Sequence, residues 1–243
     1  MVDFLSSRKF LATYSGVLTI VFAITVLCAA KQHVSNGVFD QITVHRINVV
    51  EPDGVPRLIL SDQAEFPGSF FRGREISRPD RIAAGMLFLD NEGTEDGGLI
   101  FGGLKGKDGK IESYGHLSFD QYDQDQTLAL DSSYADGMRR SGISINDAAR
   151  NFLTPEVFAE REKIRAMPEG PAKKAAWQTF MSTYGLTRRA FLGRENDKSV
   201  GLKLRDAKGN VRAALLVQPD GTPVLEFMDA NGKVTRNLSG EKP

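Results

Sequence analysis

Two acidic segments of the chain contain the residue types that come closest to a catalytic or metal-binding set. They are DNEGTEDGG (90–98) and FDQYDQDQ (119–126). Paired carboxylates carry out glycoside hydrolysis, one as the acid and the other as base or nucleophile. Clustered carboxylates also bind hard cations such as calcium. The candidate residues, which we expect to face each other across the two segments, are Glu92, Glu95, Asp96, Asp120, Asp123 and Asp125.

Neither acidic segment has the spacing of a defined motif, and the twelve-residue calcium loop is absent. Carboxylates in loops of an acidic surface are usually solvated. We therefore assign no catalytic, cofactor-binding or metal-binding residue from the sequence. A glycan-acting hydrolase and a calcium site stay open as alternatives.

Other chemistries have less support. The three histidines, His33, His45 and His116, are too scattered for a metal cluster. Cys28 is the only cysteine and lies in an apolar run, so disulfides give no information on the compartment. The glycines of GGLIFGG (97–103) are not followed by Gly-Lys-Ser/Thr, which a phosphate-binding loop requires.

The elements that position these residues follow a repeated pattern. Two segments, VVEPDGVPRLILSD (49–62) and LVQPDGTPVLEFMD (216–229), align without gaps and match at seven of fourteen positions. In each, Pro-Asp-Gly separates two β-rich runs, which predicts a hairpin with its glycine, Gly54 or Gly221, at positive φ. The matched hairpins lie near opposite ends of the chain.

A shorter pattern, apolar-x-apolar-x-Asp, recurs through the chain. Its two-residue period places both apolar side chains on one face of a sheet, and the aspartate is expected to form the following turn. The copies begin at residues 58, 86, 143, 202 and 225, and Leu117/Phe119/Gln121 is a variant. The aspartates are Asp62, Asp90, Asp147, Asp206 and Asp229.

The longest interval between copies contains helical patterns at about 154–185. Thr154-Pro155-Glu156 is typical of a helix start, and this helix is predicted to end near Met167. A second helix is predicted from Pro171 to Gly185, with an apolar stripe of Trp177, Phe180, Met181 and Tyr184. We expect the stripe to pack on the β-domain or on the first of these two helices, through Val157, Phe158 and Ile164, with a partner-binding groove or lid as the alternative. Without Asn151–Tyr184 the 59-residue interval falls to 25, within the 23–31 range of the others, which predicts an excursion between two paired strands.

The N-terminal region predicts a membrane anchor. Residues 10–30 run without a charge, and a helix of this length spans ~31 Å, the thickness of the hydrocarbon core. A cleaved signal peptide is the alternative, but its apolar region is usually shorter. Arg8, Lys9 and the N-terminal amine precede the run, and Lys31 and Arg46 follow it, so three positive charges against two favour a cytoplasmic N-terminus and an external domain.

Charge excludes one class of partner. Residues 51–146 carry 10 basic and 17 acidic side chains, and no run of like charge is long. Such a distribution argues against nucleic-acid binding.

The segments at 39–54, 84–103 and 114–131 resemble a family of uncharacterised bacterial proteins with one N-terminal span and a β-rich domain of unknown function. The resemblance covers mainly residues 39–147. It implies a bacterial envelope setting and carries no activity or site.

These observations predict an N-terminal tail (1–9), a transmembrane anchor (10–30), a stalk (31–41) and a β-repeat domain (42–240). The domain is expected to be all-β, with antiparallel hairpin repeats closed as a propeller-, trefoil- or barrel-like structure. A β-solenoid is the alternative, since units of ~23–31 residues fit one coil. For function, we expect a non-enzymatic inner-membrane protein that binds an envelope protein or a glycan, with the hydrolase as the alternative and no cofactor.

Overall fold

A computed structural model describes residues 7–29, 37–149 and 152–240. The chain divides into two compact units, Met1–Thr43 and Val44–Pro243. The first contains helix α1 (Arg8–Ala29), which is long and apolar enough to span a membrane. A signal sequence near an N-terminus has the same features. Ala30, His33 and most of the predicted stalk lie outside the described residues.

The second unit is mostly β-structure. Its helices are α2 (Pro155–Arg165) and α3 (Pro171–Tyr184). Its strands are β1 (Arg46–Val50), β2 (Pro56–Ser61), β3 (Ser69–Phe71), β4 (Arg74–Ile76), β5 (Ala84–Leu89), β6 (Glu95–Lys105), β7 (Ile111–Gln121), β8 (Gln124–Ala135), β9 (Met138–Asp147), β10 (Thr187–Arg194), β11 (Val200–Arg205), β12 (Val211–Val217), β13 (Pro223–Met228) and β14 (Val234–Ser239).

Twelve of these strands form one antiparallel sheet in chain order. The other two, β3 and β4, form a separate hairpin between β2 and β5 in the sequence. Each strand therefore pairs with its sequence neighbours, as the hairpin pattern predicts. The predicted closure is not supported, because β1 and β14 end the strand order and do not pair with each other within the described chain. The solenoid alternative is also wrong, since the described strands pair antiparallel as a meander rather than in parallel coils.

The matched hairpins have the same turn. Gly54 and Gly221 both have φ of 89°. The amide of each glycine donates to a carbonyl three residues earlier, at 2.8 Å to Glu51 and 2.9 Å to Gln218. The internal repeat is therefore confirmed at the level of the backbone.

Most of the repeated aspartates form turns. Asp90, Asp206 and Asp229 each accept hydrogen bonds from backbone amides two and four residues later. Asp62 accepts one from the amide of Glu65 at 2.9 Å. The prediction is wrong for Asp147, which ends β9 and pairs with Arg189, because the helical insertion replaces the turn there.

The helical insertion leaves its flanking strands paired, as predicted, since β9 pairs directly with β10. Thr154 caps α2 by accepting from the amide of Val157. Helix α2 ends at Arg165, earlier than the predicted Met167.

The predicted stripe of α3 packs only in part. Phe180 is buried against Val157 and Ile164 of α2, and Trp177 and Tyr184 pack on the edge of this cluster. Trp177 is only partly buried and Met181 is exposed. The predicted packing of the stripe on α2, the first helix of the insertion, is therefore confirmed. The prediction that the whole stripe is buried is wrong, because Met181 is exposed.

Candidate functional site

The two predicted acidic segments do meet, and they form two separate groups. The outer group surrounds Arg72, whose guanidinium pairs with Glu92 and with Asp123, the latter at 3.0 Å. The hydroxyl of Tyr122 accepts from Arg72 at 2.9 Å and donates to Glu92 at 3.0 Å. Glu92 and Asp123 are therefore held by an arginine, and their position is explained without a substrate.

The inner group, here the carboxylate pocket, has a volume of about 70 Å³. Glu95 begins β6, Asp120 lies near the end of β7 and Asp125 near the start of β8, so the β6–β7–β8 pairing brings them together. Arg81 donates to Glu95 at 2.6 Å, and Asp120 accepts from the amide of Gln126 at 3.0 Å. Asp96 is outside this pocket's lining.

The carboxylate pocket favours protonated acids. Burial, followed by the charges of Asp125 and Glu95, raises the pKa of Asp120 to about 8. Burial and the charge of Glu95 raise the pKa of Asp125 to about 6, against the opposing charges of Arg78 and Arg81. An acid that is protonated near neutral pH can donate a proton to a leaving group.

Two observations limit what this pocket can do. Its volume is well below the ~300–1,000 Å³ typical of sites for small organic ligands. Within the described parts of the chain, no three His, Cys, Asp or Glu side chains are arranged to hold a metal ion. The carboxylate pocket therefore suits a few waters or a proton better than a sugar ring.

A larger feature lies on the twelve-stranded sheet, which sequence reasoning only partly identified. One side chain from every strand forms a continuous register row across the whole sheet, here named the leucine row. Its members are Ile47, Leu60, Met86, Leu99, Leu117, Leu130, Ile143, Leu192, Leu202, Leu215, Leu225 and Leu238. All twelve are apolar.

A second row on the same side, the flanking row, lies two residues away from the leucine row, alternately later and earlier in the sequence because neighbouring strands are antiparallel. Its members are Val49, Leu58, Phe88, Gly97, Phe119, Leu128, Ile145, Ala190, Leu204, Ala213, Phe227 and Arg236. Gly97 separates Phe88 from Phe119, whose rings stack with centroids 6.2 Å apart. The leucine row and the flanking row together are named the apolar face.

The apolar face is open to solvent in the single chain. Seven members of the leucine row are exposed, among them Leu192 at 52% and Leu238 at 67%. A contiguous apolar surface of this extent is rare on a monomeric soluble domain. The apolar-x-apolar-x-Asp pattern placed these side chains on one face, but it gave no information on whether the chain itself covers them.

The opposite side of the sheet, named the buried face, has the reverse character. Its central residues are almost fully buried, and small residues alternate there with a few large ones. They are Ile59, Leu87, Ser118, Ala129, Ser144, Phe191 and Ala214. Ile59 and Leu87 pack with Phe70 of the β3–β4 hairpin. Part of the domain core thus lies on the buried face.

A comparison with family models finds no match for this chain, and a comparison with curated proteins finds no match either.

Proposed function

We propose that this chain is a membrane-anchored, non-enzymatic interaction module of a bacterial envelope, whose apolar face packs against the apolar face of a second copy. The observation that carries the proposal is the exposed leucine row. Exposed apolar area on this scale is stabilised when another apolar surface removes it from water. The family resemblance supports the envelope setting.

The area of the apolar face suits a stable dimer. With strands ~4.8 Å apart and rows ~6.8 Å apart, two rows on twelve strands cover ~800 Å² of one copy. Two copies therefore bury ~1,600 Å², the size of a standard specific interface.

The composition of the apolar face also favours a second copy. Across the leucine and flanking rows the described chain places one charged side chain, Arg236, and it lies on the terminal strand β14. Homodimer interfaces are more apolar than other interfaces and are depleted of charge at their core. An anchor on every copy concentrates copies in one membrane, which favours association further.

The register of the strands gives a symmetric way to pack. Two copies related by a two-fold axis between their sheets can place their apolar faces against each other. The axis then runs in one of two directions, parallel to the strands or parallel to the leucine row. Both axes pass over the centre of the sheet, between Leu130 of the sixth strand and Ile143 of the seventh. Pairing of edge strands β1 and β14 between copies, in contrast, leaves both apolar faces in water.

Disulfide cross-linking of the full chain in native membranes tests this interface. In a Cys28→Ser background, Ile143→Cys is expected to give a dimer of twice the chain mass on oxidation. Two controls, Ser144→Cys on the buried face and Asn231→Cys in an exposed turn, are expected to stay monomeric. Absence of the Ile143 cross-link, or equal cross-linking at Asn231, contradicts the proposed partner.

The same background distinguishes the two axes. If the axis follows the leucine row, Ile47→Cys and Leu238→Cys each cross-link to themselves. If it follows the strands, only co-expressed Ile47→Cys and Leu238→Cys chains cross-link to each other. A cross-link to an unrelated protein at Ile143 keeps the apolar face as an interface but overturns the second copy as its occupant.

We propose that α1 is a retained anchor in the inner membrane, with the β-domain outside the cytoplasm. Ile20 lies near the middle of α1, and Ile20→Arg is expected to release the chain from membranes, because arginine costs ~2.5–3.5 kcal/mol on insertion scales. Mature protein that begins at Lys31 contradicts retention. A protease added to spheroplasts is expected to digest the β-domain, and its protection contradicts the orientation.

A glycan-acting hydrolase is the second candidate, favoured by the raised pKa values of Asp120 and Asp125. Its acid is then Asp120, and Asp125 or Glu95 is the base. The test is release of soluble sugars from peptidoglycan by the full chain and its loss in Asp120→Asn. No release by the wild-type chain contradicts this candidate, as the small pocket volume leads us to expect.

A further inference from the structure

A second polar groove lies on the buried face, beside the carboxylate pocket and distinct from it in charge. Its volume is about 320 Å³. Its lining includes His116, Asp131, Arg140, Ser144, Asn146 and Arg188. Arg140, Ser144 and Asn146 come from β9 and Arg188 from β10, so the pairing of these two strands builds the groove.

We propose that this groove binds a phosphate group, either inorganic phosphate or the phosphate of a monoester. Four buried polar atoms in its lining, Arg140 Nη2, Arg188 Nε, Ser144 Oγ and His116 Nε2, have no hydrogen-bond partner among the described residues. Ser144 is almost completely buried, at 2% exposure. Buried polar atoms are nearly always paired in folded proteins, so four unpaired atoms in one groove, at least two of them arginine donors, indicate a ligand that the chain does not supply.

The two arginines are fixed close together by one ring. The guanidinium carbon of Arg140 lies 4.3 Å from the centre of the Phe191 ring, and that of Arg188 lies 5.4 Å from it. Phe191 is almost completely buried and belongs to the middle of β10. Burial first, and then the charge of Arg140, lowers the pKa of Arg188. An anion that contacts both guanidinium groups offsets the repulsion between their charges.

The carboxylates near the groove are already engaged. Glu195 pairs with Arg140 at 3.2 Å and with Lys203 at 3.4 Å. The carboxylate of Asp131 lies 2.7 Å from Nδ1 of His116. Arg188 has no carboxylate within 4.0 Å among the described residues, so the positive charge of the groove exceeds its negative charge.

The chemistry of these donors selects the ligand class. Guanidinium groups bind phosphate oxygens through paired hydrogen bonds, and a hydroxyl supplies a further donor to a tetrahedral anion. The groove volume lies at the lower end of small-molecule sites, ~300–1,000 Å³, which leaves room for a small group esterified to the phosphate.

Titration calorimetry of the full chain in a non-ionic detergent, with inorganic phosphate as the probe, tests the site. We expect saturable binding by the wild type and a loss of affinity of about tenfold or more in Arg188→Gln, because a hydrogen-bonded charge is removed. Ser144→Ala is expected to weaken binding by less. Arg212→Gln is the matched control, since Arg212 lies on β12 and pairs with Asp206 at 3.6 Å.

Three results overturn the phosphate site. They are no saturable binding of phosphate by the wild type, equal affinity in Arg188→Gln and the wild type, and the same heat from sodium chloride at equal ionic strength. Melting temperatures measured without phosphate show whether each variant is folded, and Ser144→Ala supplies a second reading where Arg188→Gln is not.

Competition experiments identify the source of the phosphate. Displacement by glycerol 3-phosphate but not by short-chain phosphatidic acid supports a soluble ester. Displacement by phosphatidic acid as well supports a lipid headgroup as the ligand. Failure of both compounds to displace inorganic phosphate overturns the monoester and leaves the free anion.

Discussion

The two faces of the twelve-stranded sheet differ in a way that separates folding from association. On the buried face, small residues such as Ala129 and Ala214 and a single large ring, Phe191, are almost inaccessible to water. On the apolar face, larger side chains such as Leu192 and Leu215 are more than half exposed. The residues that stabilise the single chain therefore lie on the buried face, whereas the larger hydrophobic side chains of the apolar face remain exposed. That surface is available for a partner.

The largest expected contrast between the faces comes from two neighbouring residues of β10. Phe191→Ala removes a ring that is 1% exposed and that both Arg140 and Arg188 stack upon. We expect it to lower the free energy of unfolding by about 3–5 kcal/mol. Leu192→Ala, at 52% exposure, is expected to cost less than about 1 kcal/mol in the dissociated chain.

Urea denaturation of both variants at low protein concentration measures this contrast. If Leu192→Ala costs as much as Phe191→Ala under dissociating conditions, the apolar face is already covered within one chain. The comparison between the faces would then be wrong.

Part of the sheet's architecture could be predicted from the sequence, and part could not. Alternation in Leu58/Leu60 and Ile143/Ile145 predicted a shared face, and Gly54 and Gly221 predicted matching turns, because both signals are local. Closure was predicted wrongly, since whether β1 meets β14 depends on the curvature accumulated over twelve strands. No short segment encodes that curvature.

The candidate sites show the same division. The acidic segments were recognisable because seven carboxylates, six of them candidates, lie in two short runs. The groove at Arg140 and Arg188 was missed, because these residues are separated by the helical insertion and meet only when β9 pairs with β10. The partial burial of Trp177 was also unpredictable, since a stripe reports that packing occurs but not its depth.

Glycines provide the next test of the comparison. A Cβ on Gly201 would lie 2.0 Å from the carbonyl oxygen of Leu215 on the neighbouring strand, whereas Gly115 has nothing within 4 Å. We expect Gly201→Ala to cost about 1–3 kcal/mol through overpacking. Gly115→Ala is the matched control and is expected to be neutral or slightly stabilising. Thermal melting compares them, and equal melting temperatures would contradict the close approach of β11 and β12.

The matched turns, which lie near opposite ends of the strand order, are expected to give a smaller effect that is the same for both. Gly54→Val and Gly221→Val place a β-branched residue at φ of 89°, which should cost slightly more than about 1 kcal/mol in each case. Gly170 is not a suitable control for these two turn variants. A Cβ there has open space, but the residue is the N-cap of α3, with φ of 160°, rather than a hairpin glycine. Unchanged melting of either turn variant would show that the repeat is a likeness of sequence without a shared constraint.

The last effect concerns the carboxylate pocket and appears only as a gradual change of stability with pH. The pKa of Asp120 is about 8 in the folded chain and 3.8 for the free group, so between these values only the folded state keeps the proton. The free energy of unfolding should therefore fall as the pH rises from about 4 to about 8, and then level off. Asp120→Asn cannot ionise, and its decline should be shallower. Asp125, with a pKa of about 6, still contributes a decline at the acidic end.

Denaturation of the wild type and Asp120→Asn from pH 5 to pH 9 measures this difference, with exposed Asp136→Asn as the matched control. We expect the Asp136 variant to follow the wild type and the Asp120 curve to diverge steadily above pH 5. Parallel curves for all three proteins would show that Asp120 ionises as easily as a surface carboxylate. In that case neither a buried proton nor a hydrolytic acid can be assigned to the carboxylate pocket.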